Sequence, residues 1–185
     1  MNKCVRLLAL VMIVAAAVLP RAHAALWERG TLYNLDPSTM KKSVTVNGSS
    51  VNLADVASAD PSSCFTITEL SGSWRVINPF AGVALRTSGD VVAAGEVNGS
   101  DEAQLWLIEP GSVKGGYILI PANRPDKAAK AMTDGSLTLI DRTGASTDKA
   151  ANFIISEANR KGFDLLLIAI INSGLPRNIF SLVAS

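Results

Sequence analysis

The sequence predicts an all-β domain in which three similar repeats of four strands each close into one barrel. Three observations predict it. Aromatic and glycine landmarks recur roughly every 42 residues along most of the chain. Apolar and polar residues alternate in short segments, as in residues 44–46 and 137–139, which is typical of strands. No segment between residues 31 and 156 has a helical period.

An opening aromatic, a hairpin glycine and a closing aromatic mark each repeat, and equivalent landmarks lie 41 to 47 residues apart. The landmarks are Tyr33, Trp74 and Tyr117; Gly48, Gly89 and Gly135; and Phe65, Trp106 and Phe153. Asn47-Gly48 and Asp134-Gly135 are typical of tight hairpins, in which both central residues need positive φ, and Ser88-Gly89-Asp90 supplies the equivalent turn in the second repeat. Three units can close a barrel without open sheet edges, whereas a propeller usually has four or more blades. We therefore expect twelve strands between about residues 31 and 156.

Residues 1–24 have the pattern of a cleaved secretory signal peptide. Lys3 and Arg6 give a basic start, residues 7–19 are apolar, and Ala22-His23-Ala24 is a small-x-small cleavage pattern. The alternative is a membrane anchor, but the apolar run is shorter than the roughly 20 residues that span a bilayer. We therefore expect a secreted, extracytoplasmic protein (periplasmic or extracellular) with no membrane span after cleavage.

Cleavage of the signal changes the composition and excludes several classes of function. The loss of Lys3, Arg6 and Arg21 leaves 14 basic residues against 16 acidic ones, which argues against a nucleic-acid partner. The single histidine, His23, is also removed, so a histidine-based triad or zinc site is excluded from the mature chain. Cys64 then has no histidine to activate it, and we expect a buried, inert thiol. We expect neither a cofactor nor a metal.

The second repeat ends with Gln104-Leu105-Trp106, shortly after Asn98-Gly99-Ser100. This motif resembles the Gln-x-Trp motif of the ricin B-type β-trefoil lectins, a carbohydrate-binding family. The resemblance implies a β-trefoil over residues 25–158, in which Trp106 packs into the barrel core and the Gln104 amide bonds loop backbone. In the other two repeats, the tryptophan position holds Phe65 and Phe153, and the glutamine position holds Ser63 and Ala151.

Proteins of this family bind sugars through shallow pockets, one per repeat. Carboxylate and amide groups take paired sugar hydroxyls, and a flat aromatic ring covers the apolar C–H face of the sugar. In the second repeat the candidate carbohydrate-binding residues are Asn78, Phe80, Asp101 and Gln104, with Phe80 as the aromatic platform. The other repeats offer polar residues without an aromatic: Asp36 and Asp60 in the first, Asn123 and Asp148 in the third. The alternative for each is an ordinary turn residue, since Asn78 and Asp60 both precede a proline.

Residues 159–185 form a C-terminal tail outside the repeats. Residues 165–171 are an apolar run that is too short to span a membrane. The tail either packs against the barrel or is the start of a further, truncated domain. By resemblance, such trefoils are commonly attached to glycoside hydrolases, so a catalytic glycosidase domain is an expected partner in longer relatives.

The sequence therefore predicts a non-catalytic, lectin-like module that binds a glycan or polysaccharide. Acidic residues such as Glu96, Asp101 and Asp141 show no spacing that singles out a hydrolytic pair. No serine lies in a nucleophile-elbow pattern. Two alternatives stay open: a structural or protein-interaction trefoil with decayed sugar sites, and the binding domain of a truncated glycoside hydrolase.

Overall fold

Twelve short strands, four per repeat, follow one another along residues 27–158, the part of the chain that this computed structural model describes. In the first repeat they are β1 (Tyr33–Pro37), β2 (Ser43–Asn47), β3 (Ser50–Ala54) and β4 (Thr66–Leu70). In the second they are β5 (Ser73–Asn78), β6 (Val83–Ser88), β7 (Val91–Glu96) and β8 (Leu105–Pro110). In the third they are β9 (Gly116–Pro121), β10 (Lys127–Ala131), β11 (Leu137–Asp141) and β12 (Phe153–Glu157). The predicted strand count is confirmed, while the signal peptide predicted over residues 1–24 and the tail predicted over residues 159–185 lie outside the described residues.

The first and fourth strands of every repeat form a ring of six antiparallel strands. Sheet pairing runs from β1 through β12, β9, β8 and β5 to β4. A bridge between Tyr33 and Phe65 joins the two ends of this order, through backbone hydrogen bonds of 2.7 and 2.9 Å. Ring closure leaves the barrel with no unpaired edge strand, and it agrees with the predicted barrel.

The middle strands of each repeat form the hairpins β2–β3, β6–β7 and β10–β11, which cover one end of the barrel. Their tips interlock in a cycle. The backbone N–H groups of Leu53, Ala94 and Leu139 donate to the carbonyl oxygens of Gly135, Ser49 and Asp90, over 2.7, 2.9 and 2.8 Å respectively. Each repeat therefore gives one hydrogen bond to a neighbour and receives one from the other neighbour.

The opening and closing aromatics face each other in pairs: Tyr33 with Phe65, Trp74 with Trp106, and Tyr117 with Phe153. Directly opposed residues of an antiparallel pair project to the same face of the sheet, so each pair points into the barrel. The three closing aromatics are fully buried, and the indole Nε1 of Trp106 donates to the carbonyl of Leu85 over 3.0 Å. The core positions predicted for Phe65, Trp106 and Phe153 are confirmed.

Trp27, which lies outside the repeats, also belongs to the core. Its ring packs edge-on against Tyr33 and Tyr117, with ring centroids 5.4 and 5.0 Å away. Repeat spacing gave no reason to expect this residue in the core.

The turn predicted at Asn47-Gly48 was wrong by one residue, and in the third repeat Gly135 has positive φ (90°) whereas Asp134 does not. Asn47 pairs with Ser50, so the two turn residues are Gly48 and Ser49, and only Gly48 has positive φ (59°). Glycine at the first central position with an ordinary second residue is the type II′ turn, which also fits the twist of a hairpin. Gly89 adopts the same φ of 59° in the second repeat. Strand register, rather than the Asn-Gly pair, therefore decides which residues form the turn.

A four-residue helix, α1 (Arg142–Ala145), interrupts the third repeat between β11 and β12. One turn of helix is too short to produce a visible apolar period, which explains why the sequence did not predict it. The helix packs against β10 and β11, and Ala145 joins a second apolar cluster with Ala128 and Ile118. No helix within residues 27–158 is long and apolar enough to cross a membrane.

Candidate functional site

A single 3₁₀ turn closes the last loop of each repeat, and an aspartate caps it. The turns are Pro61–Ser63, Glu102–Gln104 and Lys149–Ala151, and the caps are Asp60, Asp101 and Asp148. Each carboxylate accepts a hydrogen bond from the backbone N–H two residues later, over 2.9 to 3.0 Å. Such bonds satisfy backbone donors that have no partner within the turn. Three of the four aspartates that the sequence assigned to sugar pockets are thus caps in the structure, and the fourth, Asp36, accepts from Ser43 instead.

Gln104 and Asn78, two of the four candidate residues, are each only 1% exposed. The Gln104 amide donates to the Glu96 carbonyl over 2.7 Å and accepts from the Asn98 N–H over 3.1 Å. Gln104 therefore ties loop backbone, as the resemblance implied. Its amide is directed into the framework, so the structure does not place it on an exposed binding surface.

The Asn78 amide is likewise saturated by backbone. It donates to the carbonyls of Pro61 and Ser62 and accepts from the N–H groups of Phe80 and Ala81. An asparagine amide offers two donor hydrogens and two acceptor lone pairs, and all four are used. Asn78 thus joins the second repeat to the first, and direct sugar contact by its side chain stays a prediction.

Phe80 and Asp101 are partly exposed and leave the sheet at the same end. Phe80 lies in the β5–β6 loop, Asp101 lies in the loop after β7, and Val83 at the start of β6 pairs with Glu96 at the end of β7. Phe80 is 40% exposed. The structure therefore places the aromatic and the carboxylate of the predicted repeat-two pocket in loops at the same end of the β6–β7 hairpin.

Arg86 on β6 is a third member of this group, and no pattern in the sequence pointed to it. Its side chain is 41% exposed, and its Nη2 lies 3.7 Å from Oδ2 of Asp101. A Cβ atom at Gly95 would lie 2.9 Å from Cδ of Arg86, so the missing side chain at position 95 leaves space for the arginine. We call Phe80, Arg86 and Asp101 the repeat-two cluster.

Arg75, on β5 of the barrel, supports the loop after β7 that carries Asp101. It is 5% exposed, and its Nη2 donates to the carbonyl of Gly99 over 3.2 Å. The equivalent positions in the other repeats are Asn34, which donates to Ser63, and Ile118, which belongs to the second apolar cluster. In the first two repeats, the residue after the opening aromatic therefore supports the last loop of its own repeat.

The third repeat holds a closed version of the cation–carboxylate pair. The register of β10 with β11 places Lys130 where Arg86 stands, and its Nζ lies 2.7 Å from Oδ2 of Asp148. The hydrogen bond from Lys130, together with the backbone N–H of Ala150, lowers the pKa of Asp148. Asn123, the other candidate of this repeat, bonds Thr87 of the second repeat instead.

The first repeat has no cation at this position. Thr45 stands where Arg86 does, and its hydroxyl donates to the carbonyl of Asn52. Asp36 accepts from Ser43 over 2.6 Å, and Asp60 accepts from Ser62 as well as capping its turn. Within residues 27–158, the second repeat alone combines an exposed aromatic with a cation and carboxylate at these positions.

Cys64 is fully buried, as predicted. Burial, together with the negative charge of Asp60, raises the pKa of its thiol to about 11, so the neutral form dominates near pH 7. Residues 27–158 contain no group of three or more His, Cys, Asp or Glu side chains that could hold a metal ion.

No family model matches the chain, and no curated protein matches it. Among solved structures, it resembles an endo-β-galactosidase from Clostridium perfringens that releases GlcNAcα1-4Gal, with a TM-score of 0.62 and 14% identity over 70% of this chain. The match spans only about a third (33%) of that enzyme.

Two smaller proteins match over nearly their whole length. One is ThreeFoil, a designed threefold symmetric protein, with a TM-score of 0.58 and 16% identity over 68% of this chain and 98% of its own. The other is SeviL, solved with the asialo-GM1 saccharide bound, with a TM-score of 0.58 and 13% identity over 70% of this chain and 98% of its own. At such identities the likeness confirms the β-trefoil fold, and the ricin B-type family stays a prediction.

Proposed function

We propose that this protein is a secreted glycan-binding module that acts through its second repeat and has no catalytic activity of its own. The observation that carries the proposal is the repeat-two cluster, in which an exposed aromatic and a guanidinium–carboxylate pair lie at the same end of the second repeat. The signal pattern in residues 1–24 supports secretion.

The cluster matches the chemistry of a sugar ring. An aromatic face covers the apolar C–H side of a pyranose, while a carboxylate accepts hydrogen bonds from hydroxyls and a guanidinium donates to them. Phe80, Asp101 and Arg86 supply these three groups. Since Asn78 and Gln104 hold the loops that carry Phe80 and Asp101, their buried amides contribute by positioning.

The structural neighbours support the same class of ligand. The endo-β-galactosidase acts on a galactose-containing glycan, and SeviL was solved with a saccharide bound. Two observations support the proposed absence of catalysis: no histidine follows residue 23, and the Asp101 carboxylate caps a turn.

A glycan array with the purified protein tests the proposal, and Phe80→Ala is the informative variant. We expect wild-type protein to be retained on at least one glycan and Phe80→Ala to lose most of that retention while keeping its melting temperature. Val91→Ala is the matched control, because Val91 is an exposed apolar residue (47%) of the same repeat on the hairpin cap. We expect it to bind like wild type.

Two results would decide against the proposal. Wild-type protein that binds no glycan on the array would exclude the lectin function. A Phe80→Ala variant that loses stability while it binds glycan as wild type does would show that Phe80 is a structural residue, and it would exclude the repeat-two cluster as the binding site.

A further inference from the structure

Arg86 has hydrogen-bonding capacity that the protein does not use. A guanidinium carries five N–H donors. In the described part of the chain, Arg86 makes no hydrogen bond within 3.5 Å, and its Nε is buried without a partner. Its nearest carboxylate oxygen, Oδ2 of Asp101, is 3.7 Å away, which is an ion pair but too long for a hydrogen bond.

The gap between these two groups fits one hydroxyl group. An oxygen atom about 2.8 Å from both Nη2 of Arg86 and Oδ2 of Asp101 would be at ordinary hydrogen-bond distance from each. A hydroxyl can accept from the guanidinium and donate to the carboxylate at the same time. A carboxylate or sulfate only accepts, and it would be repelled by Asp101 and by the exposed Glu102 beside it.

We propose, on the basis of the glycan-binding function proposed above, that Arg86 and Asp101 together bind one hydroxyl of an uncharged sugar. Arg86 is then a specificity-determining residue of the repeat-two cluster, and Gly95 makes its position possible. The site selects neutral glycans over their sialylated or sulfated counterparts.

The third repeat shows why the equivalent pair there does not bind in this way. Nζ of Lys130 and Oδ2 of Asp148 are in direct contact at 2.7 Å, so a hydroxyl could enter only by breaking the hydrogen bond between them. The two pairs occupy equivalent positions, and therefore Lys130 provides a matched control for Arg86.

The test begins with an array of glycans in matched neutral and sialylated or sulfated forms. The uncharged glycan that wild type retains most strongly is then titrated calorimetrically into wild type, Arg86→Met, Asp101→Asn, the double variant and Lys130→Met. Asparagine caps as well as aspartate, so Asp101→Asn keeps the turn. Melting temperatures verify that each variant is folded.

We expect Arg86→Met and Asp101→Asn each to weaken binding at least tenfold, as loss of a charged hydrogen bond does. The double variant should be within about twofold of the weaker single variant, because both residues bind the same hydroxyl. Lys130→Met should bind within about twofold of wild type. This last comparison separates an effect at the repeat-two cluster from a general effect of losing a basic residue.

The outcomes distinguish the two proposals. An array on which no glycan is retained rejects the glycan-binding function itself. Retention of anionic glycans alone, or neutral binding that Arg86→Met leaves within twofold of wild type, overturns the role of Arg86 while glycan binding stands. Independent, additive losses in the double variant would show that the two residues do not share one hydroxyl.

Discussion

Replacement of Gly111 by alanine should destabilise the protein strongly, although the change adds only one methyl group. Gly111 follows β8, and its N–H donates to the carbonyl of Gly116 over 2.8 Å. An added Cβ would meet the buried carboxamide of Asn152, with its Cγ only 2.8 Å away and its Oδ1 closer still. The methyl group therefore cannot be accommodated unless Asn152 moves.

The loss in the free energy of unfolding can be estimated from the hydrogen bonds that the Asn152 side chain makes. Its Oδ1 accepts from the N–H of Val113 over 3.1 Å, and its Nδ2 donates to the carbonyl of Asp148 over 2.8 Å. Loss of two hydrogen bonds costs about 2 kcal/mol, and crowding in a packed interior adds about 1 kcal/mol or more. We expect Gly111→Ala to lower the free energy of unfolding by about 3 kcal/mol, which corresponds to a fall in melting temperature of roughly 6–12 °C.

Urea and thermal unfolding of Gly111→Ala and Gly144→Ala would test this estimate. Gly144 lies in α1, and an added Cβ there would meet no atom within 4 Å. Since alanine is the better helix former, Gly144→Ala should be neutral or slightly stabilising. A melting temperature of Gly111→Ala within about 2 °C of wild type would refute the packing described for Asn152.

Two further predictions concern the core and the buried thiol. Trp106→Phe gives the second repeat the same closing residue as the other two repeats. We expect urea unfolding to show a free energy of unfolding lower by about 1–3 kcal/mol, because the carbonyl of Leu85 loses its indole donor and the smaller ring leaves a cavity. A gain in stability would contradict this expectation. The pKa of Cys64 is raised from 9.0 to about 11, so the stabilisation that comes from its neutral thiol is complete below about pH 9 and is lost as the pH rises toward 11. Unfolding curves at pH 7 and 10.5 should show a larger loss of stability for wild type than for Cys64→Ala, and equal losses would show that the thiol does not contribute.

The sequence predicted the repeat architecture because its landmarks are large aromatic side chains that are stable only in the buried core of the barrel. Phe65, Trp106 and Phe153 must be buried in a small barrel, and their spacing reports the repeat directly. The capping aspartates carried an equally regular signal, since Asp60, Asp101 and Asp148 each precede the closing aromatic by five residues. That spacing is a signal of caps, although the same aspartates also fit the polar positions of a sugar pocket.

The candidate site was harder to predict because its geometry depends on strand register and loop path. The Arg86 side chain lies over Gly95 of β7, which is two residues beyond the direct partner of Arg86 in the sheet. This glycine becomes informative only once the register of the two strands is known. The direction of an amide such as that of Asn78 is set by the path of two loops, which spacing along the chain does not report. Phe80 was identified because few aromatics lie outside the core positions.

The closure of the barrel has a consequence for how the chain folds. Tyr33 pairs with Glu157, at the two ends of the described chain, and each hairpin tip bonds a different repeat. Local pairs such as β4–β5 and β8–β9 can form early, but the β1–β12 pair closes the ring only after the two ends of the described chain meet, and the entropy of that loop closure is lost before the ring is complete. Folding should therefore be slow and all-or-none, and a single repeat expressed alone would keep unpaired strands and no core. Although the sequence is periodic, the three repeats form one cooperative unit rather than three modules in a row.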